Sequence, residues 1–398
     1  MVAEDKRSDR QRVLIAGAGV AGIEAALALQ DLGRDRLDVV IHDQRREFFF
    51  RAFAVGQPYG TGSTFRYDLG ELAALSGASF EAKSIFSVDH GSRAAVTRDG
   101  ERLRYDHLIV APGARMLWAV PGAVTFWGAA DEGQVADVVA DLRAGRLRRL
   151  VFTMPGGHSW ALPLYELALL AATEIEKGGL ETRVAIATPE DLPLEVFGRY
   201  VGERMSELLD ERGIELHAGA HPIRFADGRL RVAPGEEIEA DAVISLPRLE
   251  GRRIGGVPHD GDGFVGVDEH NRVIGLDRVY AIGDVTSFPV KQGGIATQQA
   301  DAVAEAIAAA AGADVKPKPF DPILRGVLWT GAGPRYLYGR PTGGHGEASG
   351  FSERPQGPMR SGKVTARYFT PLVERLTAEA VPPAQKREEG EGGREAVA

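Results

Sequence analysis

The sequence predicts an α/β fold made of two Rossmann-like domains, the second inserted in the first, with a small C-terminal region. Three observations predict it. The chain opens on a strand, a Gly-rich turn, a helix rich in Ala and Leu, and a second apolar strand. The same layout restarts near Arg148. After that second copy, a short apolar strand and a long Ala-rich helix return the chain to the first domain.

Arg12 to Ala16 reads as a strand through Val13, Leu14 and Ile15. Ile23 to Leu32 reads as a helix stopped by Gly33, and Leu37 to His42 as a buried strand ending in Asp43. Such a unit pairs its strands in parallel. From Ser84 the segments become short and alternating, with a hairpin turn at Asp99-Gly100. Tyr105-Asp106 then leads into a strand from His107 to Ala111, closed by Pro112-Gly113. The second copy follows suit. It has a strand from Arg149 to Thr153, a helix from Leu164 to Ile175, and a strand from Arg183 to Ala187. A hairpin turn at Asp227-Gly228 and a strand from Ala242 to Leu246 complete it. The return comprises Val279 to Ile282, ending in Gly283-Asp284, and a helix from Ala296 to Ala311.

Asp321 to Phe369 forms a third region, whose Gly/Pro-rich middle, Gly331 to Gly362, is expected to be loop. Val364 to Leu376 has an apolar face in Tyr368, Phe369 and Leu372, interrupted by Pro371. The expected division is therefore residues 11–115 with 270–320, residues 116–269, and residues 321–377. Tails at 1–10 and 378–398 are polar and expected to be disordered.

Composition excludes several functions. Acidic residues outnumber basic ones, giving a formal charge of −9. That balance argues against nucleic acid as a general partner, since a phosphate backbone calls for a basic surface. There is no cysteine. Disulfides, thiolate nucleophiles and Cys-ligated metal centres are thereby excluded. No His/Asp/Glu spacing suggests a metal. The charged N-terminus is not a secretory signal, and no apolar run is long enough to span a bilayer. A cytoplasmic protein is expected, with homodimerisation and peripheral membrane contact left open.

The turn Gly17-Ala18-Gly19-Val20-Ala21-Gly22 fits G-x-G-x-x-G. Gly17 permits a tight exit from the strand, Gly19 lets the backbone approach a diphosphate, and Gly22 lets helix and strand pack closely. Free N–H groups and partial positive charge at the helix start suit an anion. The pattern alone is weak, and a Gly-rich turn that binds nothing is the bland reading. Here a strand precedes it, a helix follows, and Asp43 ends the next strand, where an acid meets a ribose.

The turn cannot tell FAD from NAD. The segment Leu276 to Asp284 resembles the second FAD fingerprint of the pyridine nucleotide-disulfide oxidoreductase superfamily, in which the acid at the strand end binds the ribityl chain. Tyr105 to Gly113 is similar to the superfamily's signature between its two nucleotide domains. Within the superfamily the chain looks closest to the branch of sulfide:quinone oxidoreductases and type II NADH dehydrogenases. Trp160 to Leu170, Thr188-Pro189-Glu190 and Pro289 to Asp301 carry that likeness. The resemblance implies a cofactor site of Gly17, Gly19, Gly22, Asp43, Gly113, Gly283, Asp284, Gly294 and Ile295. It implies that the helix after Pro289 meets the flavin's pyrimidine edge, with Lys291 adding to the field there. It also implies that Glu166 sits beside the flavin as a proton relay, and that Gln298 lines a quinone site.

The departures matter as much. Without cysteine, persulfide chemistry and disulfide reduction are excluded. The second copy replaces the phosphate turn with Met154 to Pro163, which is longer and carries His158 and Trp160. These two are candidate donor or acceptor contacts, though a solvated loop histidine is the plainer reading of His158. Ordinary NAD(P)H binding is disfavoured. The function expected is an FAD-dependent oxidoreductase passing electrons from an unassigned small donor to a quinone or other small acceptor. An NAD(P)H dehydrogenase with an unusual loop, and a flavin-bound protein without turnover, stay open.

Overall fold

The computed structural model describes residues 10–61, 66–128, 133–342, 345–355 and 363–380. The first parallel sheet runs in the order Ser79–Glu81, Leu37–His42, Gln11–Ala16, His107–Val110, Val279–Ala281. Its central strand sits between two others, with Val13 opposite Val39 on one side and His107 on the other. Strands covered on both faces need near-continuous apolar runs, which is why Val13, Leu14 and Ile15 are all fully buried.

The second parallel sheet has the order Ile214–His217, Arg183–Ala187, Arg149–Thr153, Ala242–Ser245, Val124–Thr125. Four strands of each sheet share one order, with a three-stranded antiparallel sheet inserted before the last of the four, whereas the edge strand comes last in the chain in the first sheet (Val279–Ala281) and first in the second (Val124–Thr125). Those inserts are Ile85–Asp89, Ala94–Thr97 and Arg102–Arg104 in one domain, and His221–Ala226, Arg229–Ala233 and Glu236–Glu239 in the other. The repeat read from the sequence is real, down to the hairpins at Asp99-Gly100 and Asp227-Gly228.

Three expectations need correction. The chain returns to the first domain well before residue 270. A two-stranded ribbon, Ala114–Leu117 against Arg248–Gly251, bounds the inserted domain. Just beyond it, Gly255 bonds to Phe86 and Val88, and Ile254, Val257 and Val265 share a core with Leu14 and Val110. The second correction concerns the supposed loop from Gly331. Pro334–Thr342 and His345–Ser352 are strands, joined to Leu324–Trp329 in an antiparallel sheet. Glycine misled the reading: a Cβ on Gly339 would stand 2.8 Å from the Phe197 carbonyl oxygen, so that glycine marks close backbone approach within a strand. Third, Pro371 does not interrupt the last helix, Phe369–Ala380, because it lies in the first turn, where a missing N–H costs no intrahelical bond. The expected disordered tails lie outside the described residues, apart from Arg10 and the helical residues 378–380.

One buried carboxylate ties that helix to the first domain. Glu24, on the helix Val20–Gly33, is wholly buried. It accepts hydrogen bonds from the N–H groups of Arg367 (2.9 Å), Tyr368 (3.0 Å) and Phe369 (2.5 Å). It thus satisfies the helix start as a capping side chain would, from a distant part of the chain. Asp301, on the helix Gly293–Ala310, lies against Glu24. Burial, and then the Glu24 charge, push Asp301 up to about 8. Asp301 therefore keeps its proton up to about pH 8, and burial raises Glu24 as well.

A raised folded-state value has a definite sign. Unfolded Asp301 loses its proton near the ordinary carboxyl value, whereas folded Asp301 keeps it to about 8. Its contribution favours the fold most at low pH and declines as pH rises to about 8. D301N, which keeps a neutral donor toward Glu24, is expected to raise Tm above wild type by about 2–4 °C at pH 9. At pH 5 it should give no gain. Thermal melts at the two pH values check this, and an equal shift at both would refute it.

Candidate functional site

The Gly-rich turn is built by steric exclusion. Gly17 has φ of +121°, and a Cβ there would stand 2.2 Å from the Ala111 carbonyl oxygen. A Cβ on Gly22 would stand 2.0 Å from the Gly17 oxygen, so helix and strand touch through glycine alone. Gly19 differs, because a Cβ there would meet nothing within 4 Å. It faces open space at the start of a helix that no side chain caps. Unbonded N–H groups of that first turn point where an anion would sit.

Asp43 ends the second strand nearby and is buried. Its Oδ2 accepts from the Ala18 N–H at 3.0 Å and from the Arg45 guanidinium at 2.8 Å. Its Oδ1 takes the Arg45 N–H and Nε. Burial would raise Asp43, but the Arg45 and Ala18 bonds outweigh it and hold the carboxyl below its usual range. Gly113 closes the neighbouring strand with φ of +71°.

Asp284 lies at the end of Val279–Ala281, after Gly283, whose φ is +76°. Burial raises it, opposed by Lys291 and then Arg51. Among the described residues, none donates a hydrogen bond to this carboxylate. Lys291 is not a surface lysine. It is 3% exposed, its Nζ donates to the Thr286 carbonyl, and it lies 3.8 Å from the centre of the Phe264 ring. Burial pushes it down to about 8. Gly294 and Ile295 open the helix Gly293–Ala310, where the Gln292 side chain takes the Ile295 N–H at 2.9 Å. Ile295 therefore offers no free donor, while the Gly294 N–H bonds to no described residue. Gln298 has a different task from the acceptor contact expected of it. Its amide accepts from and donates to the Ile323 backbone, both at 2.9 Å, and donates to the Gly294 carbonyl at 2.7 Å. It straps the third region to this helix.

Glu166 sits in the helix Leu162–Gly178, 2% exposed, and accepts from the Trp329 N–H at 2.8 Å. It also forms a buried ion pair with Lys363, whose ammonium lies 4.2 Å from the centre of the Trp329 ring. Burial raises Glu166 and lowers Lys363, so the pair is poised to share one proton. Sequence reasoning missed Lys363, because a lone lysine in a Gly-rich stretch carries no pattern.

In the second domain the turn 154–161 is much longer than its counterpart 17–19. His158 stacks near Phe264, ring centres 4.3 Å apart, and is lowered by burial and by Lys291. Phe264 therefore stands between His158 of one domain and Lys291 of the other. Trp160 is half-buried and packs against the core, its ring 5.9 Å from that of Phe197. Thr188 stands where the second domain's ribose acid belongs, and Glu190 lies two residues beyond it. Glu190 accepts from the Tyr165 hydroxyl at 2.5 Å and from the Thr188 hydroxyl at 3.2 Å, and burial pushes it up to about 7. Tyr165 is fully buried.

The first crevice passes a test for FAD on its own residues. It has an uncapped helix start, an open Cβ direction at Gly19, an acid at the ribose position, and at Asp284 a carboxylate with no protein donor. A ribityl chain brings hydroxyl donors to such an oxygen. Fold and site together define an FAD-dependent oxidoreductase with two dinucleotide folds. The chain belongs to the family described as pyridine nucleotide-disulphide oxidoreductase, whose profile it matches over residues 11–310. It is 27% identical over 299 residues to rhodocoxin reductase of Rhodococcus erythropolis, covering 70% of this chain and 65% of that protein. It is 24% identical over 311 residues to an NADH dehydrogenase-like protein of Mycobacterium tuberculosis, covering 69% and 73%. The solved sulfide:quinone oxidoreductase of Aquifex aeolicus shares its fold, with TM-score 0.76 and 19% identity over 93% of this chain and 91% of that one. No helix among the described residues is long and apolar enough to cross a membrane, and no metal-binding group of His, Asp or Glu occurs among them.

The two glycines give opposite expectations. G17A should fail to fold or lose many degrees of Tm, because its Cβ meets backbone at positive φ. G19A should melt as the wild-type apoprotein does, yet bind FAD at least about tenfold more weakly, since its methyl enters the space a diphosphate needs. FAD titration with parallel melts checks both. Undiminished FAD affinity in G19A would mean that the cofactor lies elsewhere.

Proposed function

We propose that this chain passes electrons from a small donor other than NAD(P)H, through FAD, to a small acceptor of the quinone type. The observation that carries the reading is the Tyr165–Glu190 contact. In a nucleotide-binding domain the acid at this strand end is kept for the ribose hydroxyls. Here that position is Thr188, and Glu190, two residues further on and half-buried, is already bound by the domain's own tyrosine. The long turn 154–161, with Trp160 packed against the core, adds a second obstacle at the diphosphate position. The acceptor class is supported by the sulfide-quinone reductase of Aquifex aeolicus among the relatives, similar over 44% of this chain. Persulfide chemistry is left out for want of any cysteine.

FAD supplies two-electron chemistry when bound. The chain's own part is to hold it and to manage protons. Glu166 and Lys363 hold one proton between Oε1 and Nζ in a dry setting, with the Trp329 N–H fixing the carboxylate. Delivery of that proton to an acceptor oxygen is the role this geometry suits. The buried Lys291 contributes fixed positive charge at the start of the flavin-side helix, and with it favours anionic reduced cofactor. The relatives named as NADH dehydrogenase-like keep the nicotinamide reading as the second one.

Two measurements separate these readings. NADH or NADPH added anaerobically should leave the oxidised flavin absorption in place, and rapid bleaching would favour the second. E166Q should leave the flavin spectrum and FAD affinity unchanged. It should slow reoxidation of the dithionite-reduced protein by a soluble quinone by roughly 10²-fold. Unchanged reoxidation would remove Glu166 from the proton path.

A further inference from the structure

Three parts of the chain meet at one indole. Trp329 closes the strand Leu324–Trp329 of the third region. Its backbone N–H donates to Glu166 Oε1 of the inserted domain at 2.8 Å. The Lys363 ammonium lies over its ring, 4.2 Å from the centre. Phe53 of the first domain packs against the same ring, with centres 5.8 Å apart and planes at 39°. The indole is half-buried, whereas the side chains of Lys363 and Glu166 are only 4% and 2% exposed. One residue thus touches both members of a dry ion pair, by its backbone at one end and by its ring at the other.

A buried lysine–glutamate pair has two forms. One is ammonium and carboxylate, the other amine and carboxylic acid, and they differ only in whether the proton sits on Nζ or on Oε1. Dry surroundings favour the uncharged form, because no water is left to solvate the ions. Lysine does not settle the choice alone, since its ammonium ends a flexible four-carbon stem. Among the described residues neither partner has a second ion pair, and no other charged side chain bears on either of them. Both contacts from Trp329 favour the charged form. An N–H donor is worth more to an ionised carboxylate than to a neutral acid. The face of an indole attracts an ammonium, most strongly where water is excluded, and has no such hold on an amine.

We propose that Trp329 is the positioning residue of this pair, keeping the resting proton on Lys363 and Glu166 a carboxylate. The inference rests on the proton-path reading of Glu166 above. Along that path a proton passes from Nζ to Oε1 and on to the acceptor oxygen, leaving a carboxylate and a neutral amine. Solvent water then returns a proton to Nζ. By stabilising the ammonium, the ring sets the pH above which the pair stands without its proton. Phe53 backs the ring and so ties this setting to the first domain.

The test has two arms. In the first, infrared difference spectra compare W329L with wild type, both as apoprotein at neutral pH. W329L should gain a protonated-carboxyl band that the double variant W329L/E166Q lacks. A folded W329L without that band overturns the proposal. The second arm follows reoxidation of the dithionite-reduced, FAD-loaded protein by a soluble quinone as a function of pH. The alkaline fall in rate should move to lower pH by about one unit in W329L. It should move clearly less in W329F, which keeps an aromatic face. A purely structural role would lower the rate at every pH and leave that fall in place, which overturns the proposal. Should melts show W329L unfolded, protein carrying fluorinated tryptophan decides, because fluorine weakens the ring's hold on a cation while keeping its shape. The fall should then move to lower pH in labelled wild type but not in labelled W329F, and an unmoved fall in both overturns the proposal. If E166Q reoxidises as fast as wild type, the proton path itself fails, while the infrared arm still decides whether Trp329 holds the pair.

Discussion

The whole arrangement depends on a backbone contact that only hydrogen atoms can occupy. Gly17 lies against Ala111, and Gly22 lies against Gly17, with no room for a methyl at either place. This brings the ends of two parallel strands and the start of a helix into one spot. The Gly17 N–H bonds the His42 carbonyl at 2.8 Å, so the strand that ends in Asp43 is fixed to the same point. Strand ends, helix start and ribose acid thus form one rigid crevice. Asp284 enters it from the far edge of the sheet, on a strand supplied only after the inserted domain has been completed. The discontinuous order of the chain is what places the two acids at the ends of different strands of one sheet.

Electrostatics then separates the two domains, which share a topology but not a use. In the first, the acid at the second strand's end is ionised and held below its usual range, and Asp284 has no protein donor. In the second, Thr188 takes that position, and Glu190 two residues beyond it is pushed up to about 7 and bound by a buried tyrosine. An ionised carboxylate has lone pairs left over for hydroxyls beside the Ala18 and Arg45 bonds. A partly protonated acid bonded to its own core cannot receive them without breaking that core. The same topology thus carries different side chains at the corresponding strand ends of its two copies.

Much of this was legible in the sequence. Strand limits in both copies were readable to within a residue or two because doubly covered strands leave unbroken apolar runs, as at Val13 to Ile15 and Arg183 to Ala187. The phosphate turn was legible because its glycines answer a steric demand. The third region was not. Its strands carry glycines at 326 and 339 where backbone meets Phe197, and glycine in that setting looks like loop. The helix after Tyr368 was hidden by Pro371, whose harmlessness depends on its place in the first turn. Lys363 had no sequence signal at all, since its importance comes from a carboxylate nearly two hundred residues away. Gln298 was read from a motif, but its amide proved to be committed to Ile323.

The third region explains why the inserted domain is retained even if it holds no nucleotide. Glu166 belongs to that domain, while the Trp329 N–H and the Lys363 ammonium that fix it belong to the third region. Leu324, Leu328 and Leu337 of the third region pack fully buried in one core with Leu162, Tyr165 and Phe197 of the inserted domain. Removing one partner from a buried ion pair leaves an uncompensated charge, which is strongly unfavourable. The inserted domain therefore has a structural duty besides any binding of dinucleotide. Tyr165 shows the two duties meeting in consecutive residues of one helix turn. Its hydroxyl bonds Glu190, two residues past the domain's ribose position, and the next residue, Glu166, faces the third region with the proton-holding pair. A change that reopened Glu190 to a ribose would have to move Tyr165, and with it the backbone that positions Glu166.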